Sequence, residues 1–186
     1  MRILVLGHVD HGKTTFICAL NNVLFTKYGI GSADRAFPTL NESRQVTSQE
    51  SVPYSLSDVN YTFVDYPGYA DYLDMFEKGE EKFDAALLIC ALSDGPMPQT
   101  TDLFKKALEY GIDKFVVFMN KSDMALDDEM IEIITDETIF MMEEAGYTKK
   151  APVVVGCAYN ALENPDSDAN QAIIKIMSAV HNVCTQ

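Results

Sequence analysis

The chain is poor in positive charge. It carries 14 Lys and Arg against 28 Asp and Glu, a formal net charge of −14. Broad, sequence-independent binding to nucleic acid needs Lys and Arg to displace counterions from phosphates, so this balance argues against that class. The acidity keeps the chain soluble and favours basic partners or a bound cation. Long hydrophobic runs are also missing. The longest, such as Ala85–Leu92, is far too short to cross a membrane. The N-terminus, MRILVLGHVDHGK, goes from one arginine straight into a strand and a glycine loop, without the length or cleavage site of a signal peptide. A cytoplasmic protein with no membrane association is expected. The four cysteines, Cys18, Cys90, Cys157 and Cys184, include no C-x-x-C pair. They read as reduced thiols and not as a zinc site. No internal repeat, low-complexity tract or linker divides the sequence, so residues 1–186 are expected to form a single domain.

What is present is a regular alternation. Residues 3–6 read as a short apolar strand and 14–25 as a helix. Residues 28–48 are polar, without a clear period, and form a long loop of the kind that is usually functional or mobile. Residues 51–56 and 61–64 read as strands joined by a turn at Ser57-Asp58. A charged helix is expected at 71–82, and a strand buried on both faces at 85–92. Further helices are expected at 99–110, 127–145 and 170–183, with strands at 115–119 and 152–155. Strands alternating with helices imply an α/β fold with a mainly parallel sheet covered on both faces. The strand pair with no helix between its members should form an antiparallel edge.

The segment Gly7-His8-Val9-Asp10-His11-Gly12-Lys13-Thr14 fits G-x-x-x-x-G-K-[ST]. It follows a strand and opens a helix, the context in which this pattern cradles phosphates. Glycines let the backbone curl so that several N–H groups point inward, and the helix start adds its positive dipole end. Lys13 should reach the β- and γ-phosphates, and the Thr14 hydroxyl should bind Mg²⁺. A metal pair made of His8 and His11 is disfavoured, because a loop curled around phosphates cannot also aim both rings at one ion.

Asn120-Lys121-Ser122-Asp123 follows the strand at 115–119, and loops at the carboxyl ends of such strands bind ligands. A carboxylate at Asp123 can accept from the ring N–H and exocyclic amine of guanine. Adenine lacks that donor pair, which argues against an ATPase or kinase.

In this register the sequence resembles the guanine-nucleotide domain of translational GTPases, above all that of elongation factor Tu. The resemblance rests on GHVDHGKTT at 7–15, DYPGYADY at 65–72, DGPMPQT at 94–100, NKSD at 120–123 and GCAYNAL at 156–162. It implies a P-loop NTPase, Ras-like G domain with a six-stranded, mostly parallel sheet and about five helices. It also implies GTP/GDP and Mg²⁺ as ligands. His8, Val9, Asp10, His11, Gly12, Lys13, Thr14 and Thr15 would line the phosphates. Asn120, Lys121, Asp123, Cys157, Ala158 and Tyr159 would line the base, with the Ala158 N–H on the guanine oxygen. Cys157 stands where the family has serine. Asp65 would hold Mg²⁺ through water, and the Gly68 N–H would touch the γ-phosphate. Arg44-Gln45-Val46-Thr47 resembles the family's Arg-Gly-Ile-Thr, so Thr47, in preference to Thr39, would be the switch threonine on Mg²⁺.

The family usually has histidine after D-x-P-G, where it orients the attacking water. Here the residue is Tyr69, a poor base with an ordinary pKa of about 10. Intrinsic hydrolysis is therefore expected to be slow. The family's further β-barrel domains are not in this sequence, so direct tRNA binding is not expected, and the chain reads as a stand-alone monomer. Partners, a ribosome or a protein effector, would engage segments 28–50 and 69–82. The competing readings are a hydrolysis-deficient switch or elongation-factor mimic, and an excised G domain of a larger factor.

Overall fold

A computed structural model describes residues 1–29, 50–56, 59–125, 127–164 and 168–186, with the main chain alone for 50–56. Its elements in order are β1 (Arg2–Leu6), α1 (Lys13–Tyr28), β2 (Glu50–Leu56), β3 (Val59–Asp65), α2 (Tyr69–Lys78) and β4 (Ala85–Ala91). These are followed by α3 (Pro98–Glu109), β5 (Phe115–Asn120), α4 (Asp128–Glu144), β6 (Val153–Val155), α5 (Ala158–Glu163) and α6 (Asn170–Thr185). A single 3₁₀ turn, Ser122–Met124, follows β5.

The strands form one sheet in the order β2-β3-β1-β4-β5-β6. The pairs β1–β3, β1–β4, β4–β5 and β5–β6 are parallel, with Ile3 opposite both Phe63 and Ala85. At one edge β2 runs antiparallel to β3, with Glu50 opposite Asp65. Strands β4 and β5 are buried along their whole length, as their unbroken apolar sequences require.

Alternation along each strand sends side chains to opposite faces. Ile3, Val5, Leu87, Ile89, Val116 and Phe118 pack with α1, α5 and α6, where the Phe16 and Phe118 ring centroids are 5.3 Å apart. Leu4, Leu6, Leu88, Phe115, Val117 and Met119 pack with α2, α3 and α4, where Phe104 and Phe115 approach to 4.5 Å. Among the described residues no helix is long and apolar enough to cross a membrane.

Several elements differ from the sequence reading. Helix α1 continues through Tyr28 and stops at Gly29, whose φ of +66° ends it in the left-handed region. Helix α2 begins at Tyr69 and stops before Gly79, φ +64°, so residues 79–82 are not helical. Six α-helices are described, one more than expected. The addition is α5, a short element capped by Cys157, whose Sγ accepts from the Asn160 N–H at 3.4 Å. The turn at Ser57-Asp58 and nearly all of the 28–48 loop lie outside the described residues.

Candidate functional site

The parallel strands β1, β3, β4, β5 and β6 share one direction, so their carboxyl ends open on the same edge of the sheet. Five loops meet there: 7–12, 66–68, 92–97, 121–125 and 156–157.

The loop after β1 is shaped by its glycines. Gly7 has φ +149°, and a Cβ on it would lie closer than 3.0 Å to the Ile89 carbonyl oxygen. Gly12 has φ +90°, and a Cβ there would strike the Asn120 amide nitrogen. Asp10, at the exposed tip beside Val9, also takes a positive φ of +65°. Gly12 is the N-cap of α1, and no side chain caps that helix. The N–H groups of its first turn, at Lys13, Thr14 and half-buried Thr15, therefore face the loop without a capping acceptor. This is a helix end suited to an anion.

Lys13 arches back over the loop, and its Nζ donates to the carbonyls of Gly7 and His8, both at 3.1 Å. Burial pushes its pKa down, and the charges of Asp65 and Asp10 oppose that shift. His8 is half-buried, with Nδ1 2.7 Å from the Val9 carbonyl oxygen. His11 is 1% exposed, and neither ring nitrogen has a hydrogen-bond partner among the described residues. Burial, helped by His8, lowers its pKa to about 4. A backbone acceptor on Ile89 opposes this shift without reaching hydrogen-bond geometry.

Asp65 ends β3 at 1% exposure. The Thr14 hydroxyl donates to its Oδ2 at 3.1 Å. The Tyr72 hydroxyl lies 2.9 Å from its Oδ1 and 2.6 Å from the Val5 carbonyl oxygen. Burial pushes the Asp65 carboxyl up, while the Lys13 charge and the bonds from Tyr72 and Thr14 pull it down. A hydroxyl and a carboxylate, both oxygen donors, thus stand together beside the phosphate loop, and this donor set fits a hard cation such as Mg²⁺. The third expected ligand, Thr47, lies outside the described residues, as do Gln45 and Thr39.

Asn120 ends β5 at 3% exposure. Its Nδ2 donates to the His11 carbonyl at 2.8 Å, and its Oδ1 accepts from the Ala158 N–H at 2.9 Å. The side chain expected on the base therefore bridges the phosphate loop and the 156–158 loop. The Ala158 N–H, expected on the guanine oxygen, is spent on Asn120. The cause is burial, because an amide at 3% exposure must use both its ends. Lys121 has φ +59° and places its Nζ 3.7 Å from Asp94. Asp123 is exposed, and it lies near the buried Cys157 thiol, whose pKa is raised first by burial and then by that carboxylate. Tyr159 is exposed beside them.

After Asp65 the chain turns at Pro67-Gly68, and Gly68 caps α2 in an extended conformation, φ −146°. Tyr69 is the first residue of α2 and is half-buried. Its hydroxyl donates to Oδ2 of Asp102 on α3.

Sequence reasoning missed Tyr72, Asp94 and Asp102. Tyr72 and Asp94 lie inside the matching stretches, but a phenol seven residues past Asp65 carries no period that marks it as that residue's partner. Asp102 reads as an ordinary acidic residue on a helix surface.

The glycine loop at 7–12, the oxygen pair at Thr14 and Asp65, and the 156–158 loop joined to the glycine loop by Asn120 lie on one edge of an α/β sheet. Residues 1–186, the whole chain, match the family described as "Elongation factor Tu GTP binding domain", and the chain belongs to that family of GTP-binding domains.

Proposed function

We infer that residues 1–186 act as one domain that binds GTP with Mg²⁺ and hydrolyses it slowly to GDP and phosphate. The observation that carries this reading is the Asn120 bridge, which fastens the phosphate loop to the base loop. A nucleotide needs both ends held at a fixed spacing. Lys13 would leave the Gly7 and His8 carbonyls for phosphate oxygens, restoring a full partner to a buried ammonium. The unclaimed amides at the start of α1 would bind the same oxygens. Asp123, with Lys121 and Cys157 around it, would select guanine. Thr14, Asp65 and Thr47 would hold Mg²⁺, which when bound neutralises phosphate charge and orients the β- and γ-phosphates.

Hydrolysis would proceed by in-line attack of water on the γ-phosphorus, with charge stabilised by Lys13 and the Gly68 N–H. Tyr69 makes it slow. Its single proton goes to Asp102, and losing a positioned water-orienting group costs about 10²–10⁴ in rate. The same observation supports a second reading, a GTP/GDP switch that barely turns over and acts through a protein or ribosomal partner on α2.

Two measurements test this. GTP should displace a bound fluorescent guanine nucleotide where equimolar ATP does not, and equal competition by ATP overturns the base assignment. Single-turnover hydrolysis should be slow in the native protein and faster after Tyr69→His. No turnover in either, with GTP tightly held, selects the second reading.

A further inference from the structure

Helix α2 is fastened to α3 at both ends. At its far end the Phe76 and Tyr110 rings meet edge to face at 5.2 Å, and the Tyr110 hydroxyl donates to the Glu81 carbonyl just beyond the helix. At its near end the only side-chain hydrogen bond described for Tyr69 is the one to Asp102. The Tyr69 ring also packs on the core beneath α2 and α3. A phenol has one proton, so donating it to Asp102 removes it from any other acceptor. The carboxylate also holds the phenol in its protonated form by pushing its pKa up. The sequence around Asp102 gives it no internal partner of this kind, since Lys105 and Lys106, the basic residues that follow at helical spacing, show no ion pair to it among the described residues.

We propose that Asp102 is a positioning residue: it anchors the side chain at position 69 on α3, so that Tyr69 fastens the first turn of α2 instead of orienting water. This rests on the reading of position 69 as the water-orienting position. It makes Asp102 part of the reason that the side chain at position 69 does not orient water. An imidazole at position 69 is shorter than the phenol and falls short of Asp102, so Tyr69→His releases that position from α3.

The test uses the full chain with Tyr69→Phe, Asp102→Ala, Asp102→Asn and the combination of Tyr69→Phe with Asp102→Ala. Hydrogen exchange at the amides of residues 69–78 should rise roughly fivefold in Tyr69→Phe and in Asp102→Ala, as loss of one hydrogen bond predicts. The combination should rise no further than either alone, and Asp102→Asn, which keeps an acceptor oxygen, should stay near the native value. Unchanged exchange in Tyr69→Phe, or additive increases in the combination, overturns the anchor. A kinetic comparison separates anchoring from simple support of the helix. Tyr69→His should hydrolyse GTP about tenfold faster than Tyr69→Phe, part of the range available to a positioned group, and adding Asp102→Ala to Tyr69→His should leave that rate unchanged, because Asp102 acts through the phenol. An equal effect of Asp102→Ala in the native and Tyr69→His backgrounds overturns the proposal. The exchange measurements need no nucleotide, so failure of the chain to bind GTP would refute the GTPase reading while leaving the anchor to be judged on its own result.

Discussion

At the residue scale, the site holds buried polar groups whose burial is only partly offset. His11 is the clearest case, a ring at 1% exposure with both nitrogens unpartnered among the described residues. Its pKa falls from 6.5 to about 4 on folding. Between those values the unfolded chain binds a proton that the folded chain does not, so stability must fall as pH drops. The contribution is intact above pH 6.5, is lost progressively below it, and levels off below about pH 4. A fall of that size corresponds to about 3 kcal/mol in total. Urea unfolding at a series of pH values should show this loss in the native chain. His11→Leu should remove it, so that the difference between the two proteins narrows by about 3 kcal/mol from pH 7 to pH 4 in favour of the variant. Asp65 acts in the opposite sense, since its raised carboxyl takes up a proton more readily in the folded state, which is why the variant comparison is needed. A parallel pH profile in His11→Leu would mean that the ring is not the titrating group.

At the element scale, loops decide the site, and strands decide where the loops are. The central strands and the turn of the glycine loop were legible in the sequence, because unbroken apolar runs such as Ala85–Ala91 leave little choice but burial on both faces. Glycines at fixed spacing likewise leave little choice but a tight turn at Gly7 and Gly12. Helix ends were less legible. Tyr69 starts α2 because Gly68 caps it from an extended conformation, a choice of backbone angles that the letters D-Y-P-G-Y do not dictate. Helix α5 was missed because its few residues, AYNALE, are too short to show a period. The motif around Asn120 lies at the carboxyl end of β5, and what the Asn120 side chain touches is set by burial and by the approach of a loop distant in sequence. That bridge has a measurable size. Asn120→Ala leaves the His11 carbonyl and the Ala158 N–H without their described partner. Each such buried group costs about 1–3 kcal/mol. The variant should lose roughly 2–6 kcal/mol in urea unfolding. Its guanine-nucleotide affinity should fall further than that of Asp123→Ala, because both loops lose their spacing together. Asn120→Asp should keep the bond from Ala158 but place a carboxylate against the His11 carbonyl. If Asn120→Ala unfolds like the native chain, the bridge is not a structural link.

At the scale of the whole molecule, the charge of −14 sets the terms on which any nucleotide binds. A polyphosphate approaching this chain meets net repulsion, and the edge of the sheet offers compensation: Lys13, the dipole of α1, and an oxygen pair that would hold Mg²⁺. Nucleotide and metal should therefore stabilise the protein together, and each poorly alone. A ligand that binds only the folded state stabilises it by RT ln(1 + [L]/Kd), about 4 kcal/mol at a thousandfold excess over Kd. For a chain of 186 residues each kcal/mol moves Tm by roughly 2–4 °C, so saturating GTP or GDP with Mg²⁺ should raise Tm by about 8–16 °C. Mg²⁺ alone should give a small shift shared with Ca²⁺, because screening an acidic surface needs no particular cation. Chelation with EDTA should remove most of the nucleotide effect, and Thr14→Val should do the same by deleting the hydroxyl that meets Asp65. ATP with Mg²⁺ at the same concentration should shift Tm no more than Mg²⁺ alone. An equal shift from ATP would mean that phosphates are read and the base is not, which would leave the phosphate loop assigned and the loop from Asn120 to Asp123 without its task.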